Sequence, residues 1–178
     1  MHLSEVKMEQ FDIYDYTRLP TGRSSENPST LKCGQYRLVI HICIFNSHGE
    51  MLIQRRQSTT GKWPGLWDLS VSGCVQAGES AAQAAMREAH EELGLSLDLS
   101  VSPVSLSITF NRGYDDIFIL QSDVDISSLL LQEDEVADVK WAKKEEILNL
   151  LAEKKFVPFF PAFIETLFAY KDYGDIHS

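Results

Sequence analysis

The feature that most limits what this chain can fold into is the segment at residues 73–95, GCVQAGESAAQAAMREAHEELGL. A glycine-bearing loop runs into a helix whose two ends are both specified. Ser80 followed three residues on by Gln83 is a capping-box pattern, and Gly94 is placed to end the helix. Glu88, Glu91 and Glu92 stand at i, i+3 and i+4, so three carboxylates share one face within a single turn. Like charges so placed destabilise a bare helix. A hard divalent cation compensates them, and Mg²⁺ takes oxygen ligands of this kind. Arg87 lies on a different side, within reach of Glu79 at the helix entrance. The competing reading is a solvated acidic face, which charge runs usually are.

Around that helix the sequence reads as short strands. Arg37–Phe45 (RLVIHICIF) is a β-branched run expected to be a buried strand, residues 46–49 a turn, and residues 50–55 (EMLIQR) the second arm of a hairpin. Further strands are expected at 66–72, at about 104–110 and 117–121, and at 136–141. Helices are expected over 144–153 and from about 161 to 170. The polar stretch at 21–30 is a loop by composition. Strands and helices interleave without a regular βαβ period, which predicts an α/β (α+β) mixed sheet with helices on both faces rather than a Rossmann fold.

The chain has 178 residues, enough for one domain with a sizeable core. Sixteen Lys and Arg against 26 Asp and Glu give a net charge of −10, which repels a polyphosphate backbone and argues against a nucleic-acid polymer as partner. A small anionic substrate then needs local positive charge. Cys33, Cys43 and Cys74 form no CxxC, and no apolar run reaches a membrane span, so a cytoplasmic protein without a membrane partner is expected.

The order Gly73, five residues, Glu79, seven residues, Arg87-Glu88, two residues, Glu91-Glu92, one residue, Gly94 resembles the Nudix box, with Ala89 smaller than the usual bulky aliphatic. The resemblance implies an α/β/α sandwich with a mixed sheet, as one domain over 1–178 with an N-terminal extension to about 34. It also implies hydrolysis of a diphosphate-linked small molecule with Mg²⁺ or Mn²⁺. By the same resemblance Glu88, Glu91 and Glu92 are the metal ligands with the backbone of Gly73, and Arg87 and Glu79 are a structural brace. The general base stays open among the box glutamates, Glu133 and Glu135.

The likeness extends over residues 45–80 to isopentenyl-diphosphate isomerase, a Nudix superfamily enzyme, through Arg55-Arg56, Lys62, Trp63-Pro64-Gly65 and Trp67. It resumes at Asp134-Glu135-Val136, at Trp141 and at the Pro-rich start of the last helix. Arg55, Arg56, Lys62 and Trp67 are therefore expected at the substrate, the cations on its diphosphate. The isomerase chemistry does not carry over. The family's proton-transferring cysteine is Ser72 here, and two of its histidine metal ligands are Cys74 and Arg37, while the glutamate cluster is complete. The expectation is a hydrolase of the isomerase-like branch, monomer or homodimer. An isomerase and a non-catalytic nucleotide-binding module are the alternatives. His41 is read as a satisfied core histidine, and Cys43 as a small buried hydrophobe.

Overall fold

Four of the nine residues of Arg37–Phe45 are Val or Ile, and a strand so apolar on both faces must be covered on both. In the computed structural model, which describes residues 9–173, it is β3, the centre of a mixed sheet. The N-terminal hairpin strands are β1 (Phe11–Tyr14) and β2 (Pro20–Ser25). After β3 come β4 (Met51–Arg56), β5 (Trp67–Asp68), β6 (Val71–Cys74), helix α1 (Ala81–Leu93), β7 (Leu106–Phe110), β8 (Gly113–Gln121), β9 (Val136–Ala142), α2 (Lys144–Ala152) and α3 (Pro161–Tyr173). The order is β5-β4-β3-β8-β7, with β3 parallel to β8, β6 antiparallel to β3 and β9 antiparallel to β4.

Alternation along β3 sends Ile40, Ile42 and Ile44 to one face, against Ala84, Ala85, Ala89 and Leu93 of α1. Ala89, small where a bulkier residue was expected, is fully buried in that seam, where a short side chain lets helix and sheet approach closely. Cys43 and Phe45 go to the other face with Ile147 of α2 and Ile164, Leu167 and Phe168 of α3. Each large side chain so buried stabilises the fold by about 1.5–3 kcal/mol. The expected α/β/α sandwich is the observed architecture. Among the described residues no helix is long and apolar enough to cross a membrane.

β3 and β4 pair at Phe45 and Met51 and then part. The chain expected as one strand at 66–72 is two: β5 pairs with β4, and β6 pairs with β3. The switch occurs at Ser70, fully buried, whose hydroxyl donates to the Leu52 carbonyl at 2.5 Å and accepts from the Ile44 amide at 2.9 Å. One side chain thus satisfies the backbone groups that the parting strands leave free, and the cleft it opens holds the site.

The expected loop at 21–30 is a correction. Residues Pro20–Ser25 form β2, and Pro28–Thr30 a 3₁₀ turn. β2 buries almost no side chain, so its sequence carries no strand pattern. Its order comes from the ladder with β1 and from the turn before it, where the Asp15 carboxylate accepts from the amides of Thr17 and Leu19. Arg18, at φ 65°, then places its guanidinium on the buried Asp116 carboxylate at 2.8 and 2.9 Å, fastening the hairpin to β8.

Candidate active site

The ends of α1 form as the sequence dictates. The Ser80 hydroxyl accepts from the Gln83 amide at 3.2 Å, the Gln83 side chain accepts from the Ser80 amide at 2.8 Å, and Gly94 closes the helix at φ 67°. So fixed, α1 holds Glu88 and Glu92 against β6 with relative exposures of 8% and 3%. Glu92 Oε2 accepts from Gln54 Nε2 at 3.0 Å and lies 3.4 Å from the Ser72 amide nitrogen. The Glu88 carboxyl lies where a side chain on Gly73 would begin: a Cβ there would stand 2.2 Å from Glu88 Cδ and Oε1. Only glycine leaves that room.

Arg87 gathers the rest. Its Nε and Nη2 donate to the two Glu79 oxygens at 2.8 and 3.0 Å. Its Nη1 donates to Glu88 at 2.8 Å and Glu91 at 3.0 Å, and Nη2 also reaches the Cys74 carbonyl at 3.1 Å. The pairing holds the Glu79 carboxyl below its ordinary range. The two glutamates beneath behave oppositely. Burial pushes Glu88 up to about 7, against the pull of Arg87, and burial together with repulsion from Glu88 drives Glu92 well above the carboxylate range. Glu135, in the turn just before β9, is raised by desolvation and then by Asp134. The Gln132 amide, three residues earlier, donates to the Glu92 carbonyl at 3.0 Å. Among the described residues no three acidic, His or Cys side chains already surround one point; Arg87 pairs with Glu88 and Glu91, and Glu92 bonds to Gln54. The donor set is nonetheless all oxygen, with two buried carboxylates that lack full charge compensation and a bare glycine backbone beside them. That chemistry fits a hard divalent cation.

Arg87→Ala removes the common partner of three carboxylates. Stability should fall by about 3 kcal/mol, roughly 6–12 °C in melting temperature, together with activity. Calorimetry beside a rate measurement checks this, and a lost rate at unchanged melting temperature would instead put Arg87 on the substrate.

Across β6 lies a cavity of about 300 Å³, which Ser72, Gly73 and Cys74 border from the strand side. Arg56 and Lys62 line it, and Arg56 Nη1 stands 3.4 Å from the buried Asp68. Arg55, next on the same strand, alternates to the opposite face. It lies 5.9 Å from the Trp67 ring, against which Lys140 also packs, and Arg55 and Trp67 stand apart from the cavity.

His41 corrects the expectation of a satisfied core histidine. It is 8% exposed, its Nε2 lies 3.5 Å from Asp115 Oδ1, and its Nδ1 has no hydrogen-bond partner. Cys43 is fully buried, as expected, and desolvation drives its thiol far up. Two site residues went unremarked in the sequence: Gln54, a polar residue inside an apolar strand, and Asp115, which lies before the strand expected at 117–121 but inside β8. The first carried a signal, since a buried amide needs a partner.

A mixed sheet lies between helices, with a loop and helix presenting braced glutamates at a split between strands, and the protein is of the α/β/α sandwich class. The NUDIX domain model matches residues 35–164, and the chain belongs to the Nudix hydrolase family, whose members are pyrophosphohydrolases. It is 42% identical over 170 residues to an uncharacterised Nudix hydrolase of Listeria monocytogenes, covering 96% of this chain and 99% of that one. The isopentenyl-diphosphate Delta-isomerase of Escherichia coli is 30% identical over 152 residues, 81% of this chain and 82% of the enzyme. A crystal structure of a Deinococcus radiodurans protein superposes with a TM-score of 0.73 at 23% identity, over 89% of this chain and 99% of that one, and so shares the fold.

Proposed function

We propose that this chain is a Mg²⁺- or Mn²⁺-dependent hydrolase of a diphosphate linkage in a nucleotide-like or other organic diphosphate. The observation that carries the reading is the position of Glu88 and Glu92, buried against the bare backbone of Gly73, with a cation-lined cavity on the far side of the same strand. Glu88, Glu91 and Glu92 would hold the metal, with the Gly73 carbonyl beside them. A metal held there would neutralise charge on the substrate's phosphates and lower the pKa of water. Arg56 and Lys62 orient the diphosphate from the cavity side. Gln54 and the Ser72 amide fix the Glu92 carboxylate, so that it need not reorganise as charge develops. Glu135, raised and close to Glu92, is suited to take the proton of the attacking water.

The test is a panel of organic diphosphates with the purified chain, scored by phosphate release after phosphatase coupling. At least one member should turn over in millimolar Mg²⁺ or Mn²⁺, and excess EDTA should abolish it. Turnover undiminished by EDTA would sink the metal requirement. Isopentenyl and dimethylallyl diphosphate should show no enzyme-dependent deuterium uptake from heavy water, because Ser72 is a poor proton donor. Exchange by the wild type would make this chain an isomerase.

A further inference from the structure

Asp115 and Asp116 are neighbours near the start of β8 and so point to opposite faces of the sheet. Asp116 is buried, and the Arg18 guanidinium donates to its two oxygens at 2.8 and 2.9 Å. Asp115 lines the cavity with 23% of its side chain exposed. Among the described residues its carboxylate has only His41 for a partner, whose Nε2 lies 3.5 Å away, beyond ordinary hydrogen-bond length. The other cavity carboxylate, Asp68, is buried beside Arg56 and already accepts from the Leu69 amide at 2.8 Å. A carboxylate is acceptor-only, so Asp115 presents lone pairs to the cavity that the fold leaves free. Cations share the space. Strand register sets Arg37 opposite Gly113 and Val39 opposite Asp115, which puts Arg37 one pair along from the carboxylate on the same face. Arg37 reaches the Cys74 thiol at 4.0 Å and stands 6.0 Å from the Phe110 ring centroid, while Lys62 stands 5.7 Å from that of Trp63. Among the described residues neither cation has a carboxylate within ion-pair distance. In a chain of net charge −10, unpaired cations beside an unpaired carboxylate mark a seat for a ligand anionic at one end and donor-bearing at the other.

We propose that Asp115 is a specificity-determining residue: it accepts an N–H from an amino-substituted ring on the organic side of the diphosphate substrate, whose phosphates lie with Arg37 and Lys62. The inference rests on the diphosphate reading above and selects within it. Like charge turns the phosphates away from Asp115, so the carboxylate also sets which end of the substrate enters. Phe110 and Phe159 border the same space, and the Phe110 ring lies where a Cβ on Gly113 would stand, 2.0 Å from Cζ. The volume, at the low end of the 300–1,000 Å³ usual for ligand sites, suits one ring system rather than two. A prenyl chain or a ring carbonyl brought to the same place strips water from the carboxylate and returns no bond, which rejects it.

Metal-free isothermal titration of the whole chain tests this without turnover. The probes are matched pairs whose second member lacks the exocyclic amine: cytidine against uridine diphosphate, adenosine and guanosine against inosine diphosphate, and thiamine against oxythiamine diphosphate. Inorganic pyrophosphate is the control without a ring. At least one amine-bearing probe should bind about tenfold or more tightly than its partner. Asp115→Asn should bring that ratio within about threefold by weakening the amine-bearing member, while pyrophosphate binds as tightly or more tightly because a negative charge is gone. Arg37→Met should weaken every probe, pyrophosphate included, and leave the ratio within about threefold. The pair with the largest ratio separates a nucleobase from the aminopyrimidine of thiamine as the source of the amine. Ratios near one for every pair in the wild type overturn the proposal, whether or not the variants fold. So does an Asp115→Asn protein that binds all probes more weakly by one factor, since a carboxylate that only steadied His41 would act in that way. Amine-selective binding without hydrolysis of any diphosphate in Mg²⁺ overturns instead the hydrolase reading and leaves the role of Asp115 standing.

Discussion

Glu92→Gln should lower turnover by about 10²-fold or more while leaving the protein folded. The side chain is almost fully buried and held by Gln54 and Ser72, so an amide of equal size keeps the packing but supplies a weaker, neutral oxygen to a cation. The stability change should run the other way. Burial raises the Glu92 and Glu88 carboxyls above their unfolded value of 4.5, so the folded state favours their protonated forms. That contribution is fully present below the unfolded value and is lost as pH rises through the folded one, which for Glu88 is about 7. The metal-free wild type should therefore lose stability as pH rises across this window, and divalent metal should restore it most strongly at the upper end. The Gln variant should melt at or above the wild type without metal at pH 8, and gain less from Mg²⁺. Melting curves from pH 5 to 8, with and without Mg²⁺, beside steady-state rates, check both halves. A near-wild-type rate would remove Glu92 from the site.

The elements that build the site were legible because several independent signals agree on them. The α1 boundaries follow from Ser80, Gln83 and Gly94 together, and β3 from a nine-residue run that fits no exposed structure. The Arg87–Glu79 pairing followed from the spacing of loop and helix. What stayed hidden depends on contacts between segments far apart in sequence. β2 is ordered by β1 and by the reach of Arg18 to Asp116, 98 positions away, so its own residues say nothing. The start of β8 falls outside the strand expected at 117–121 because Gly113, Asp115 and Asp116 avoid strands in general; here each meets a specific partner, in Phe110, His41 and Arg18. Arg55 and Arg56 look equivalent as a pair, and only the pleat separates the one lining the cavity from the one beside Trp67. The lone pair left on His41 is likewise a property of β3 and β8 lying side by side, and no local pattern announces it.

Gly73→Ala should cost about 10²-fold in turnover at little cost to the fold, which sets it apart from the damage expected at Arg87. The backbone of Gly73 is not in the left-handed region, so alanine adopts it without strain, and relief of glycine's unfolded-state entropy alone would stabilise by about 0.4–1 kcal/mol. The new methyl, however, would stand 2.2 Å from the Glu88 carboxyl and 2.4 Å from its Cγ. Those atoms lie toward the free end of a side chain, so Glu88 swings aside more readily than strand or helix moves. In doing so it gives up its 2.8 Å contact with Arg87 and its place among the metal oxygens. A net destabilisation of no more than about 1–2 kcal/mol should remain, from crowding that the swing does not relieve. The double variant Gly73→Ala with Glu88→Gln decides the cause. If the methyl acts through Glu88, the two losses should not add, and the pair should turn over no more slowly than the worse single variant within about threefold. The Mg²⁺-dependent rise in melting temperature should shrink equally in all three. Additive losses would show that Gly73 serves through its own backbone, as a direct ligand or an approach path for phosphate, and not as the space that holds Glu88.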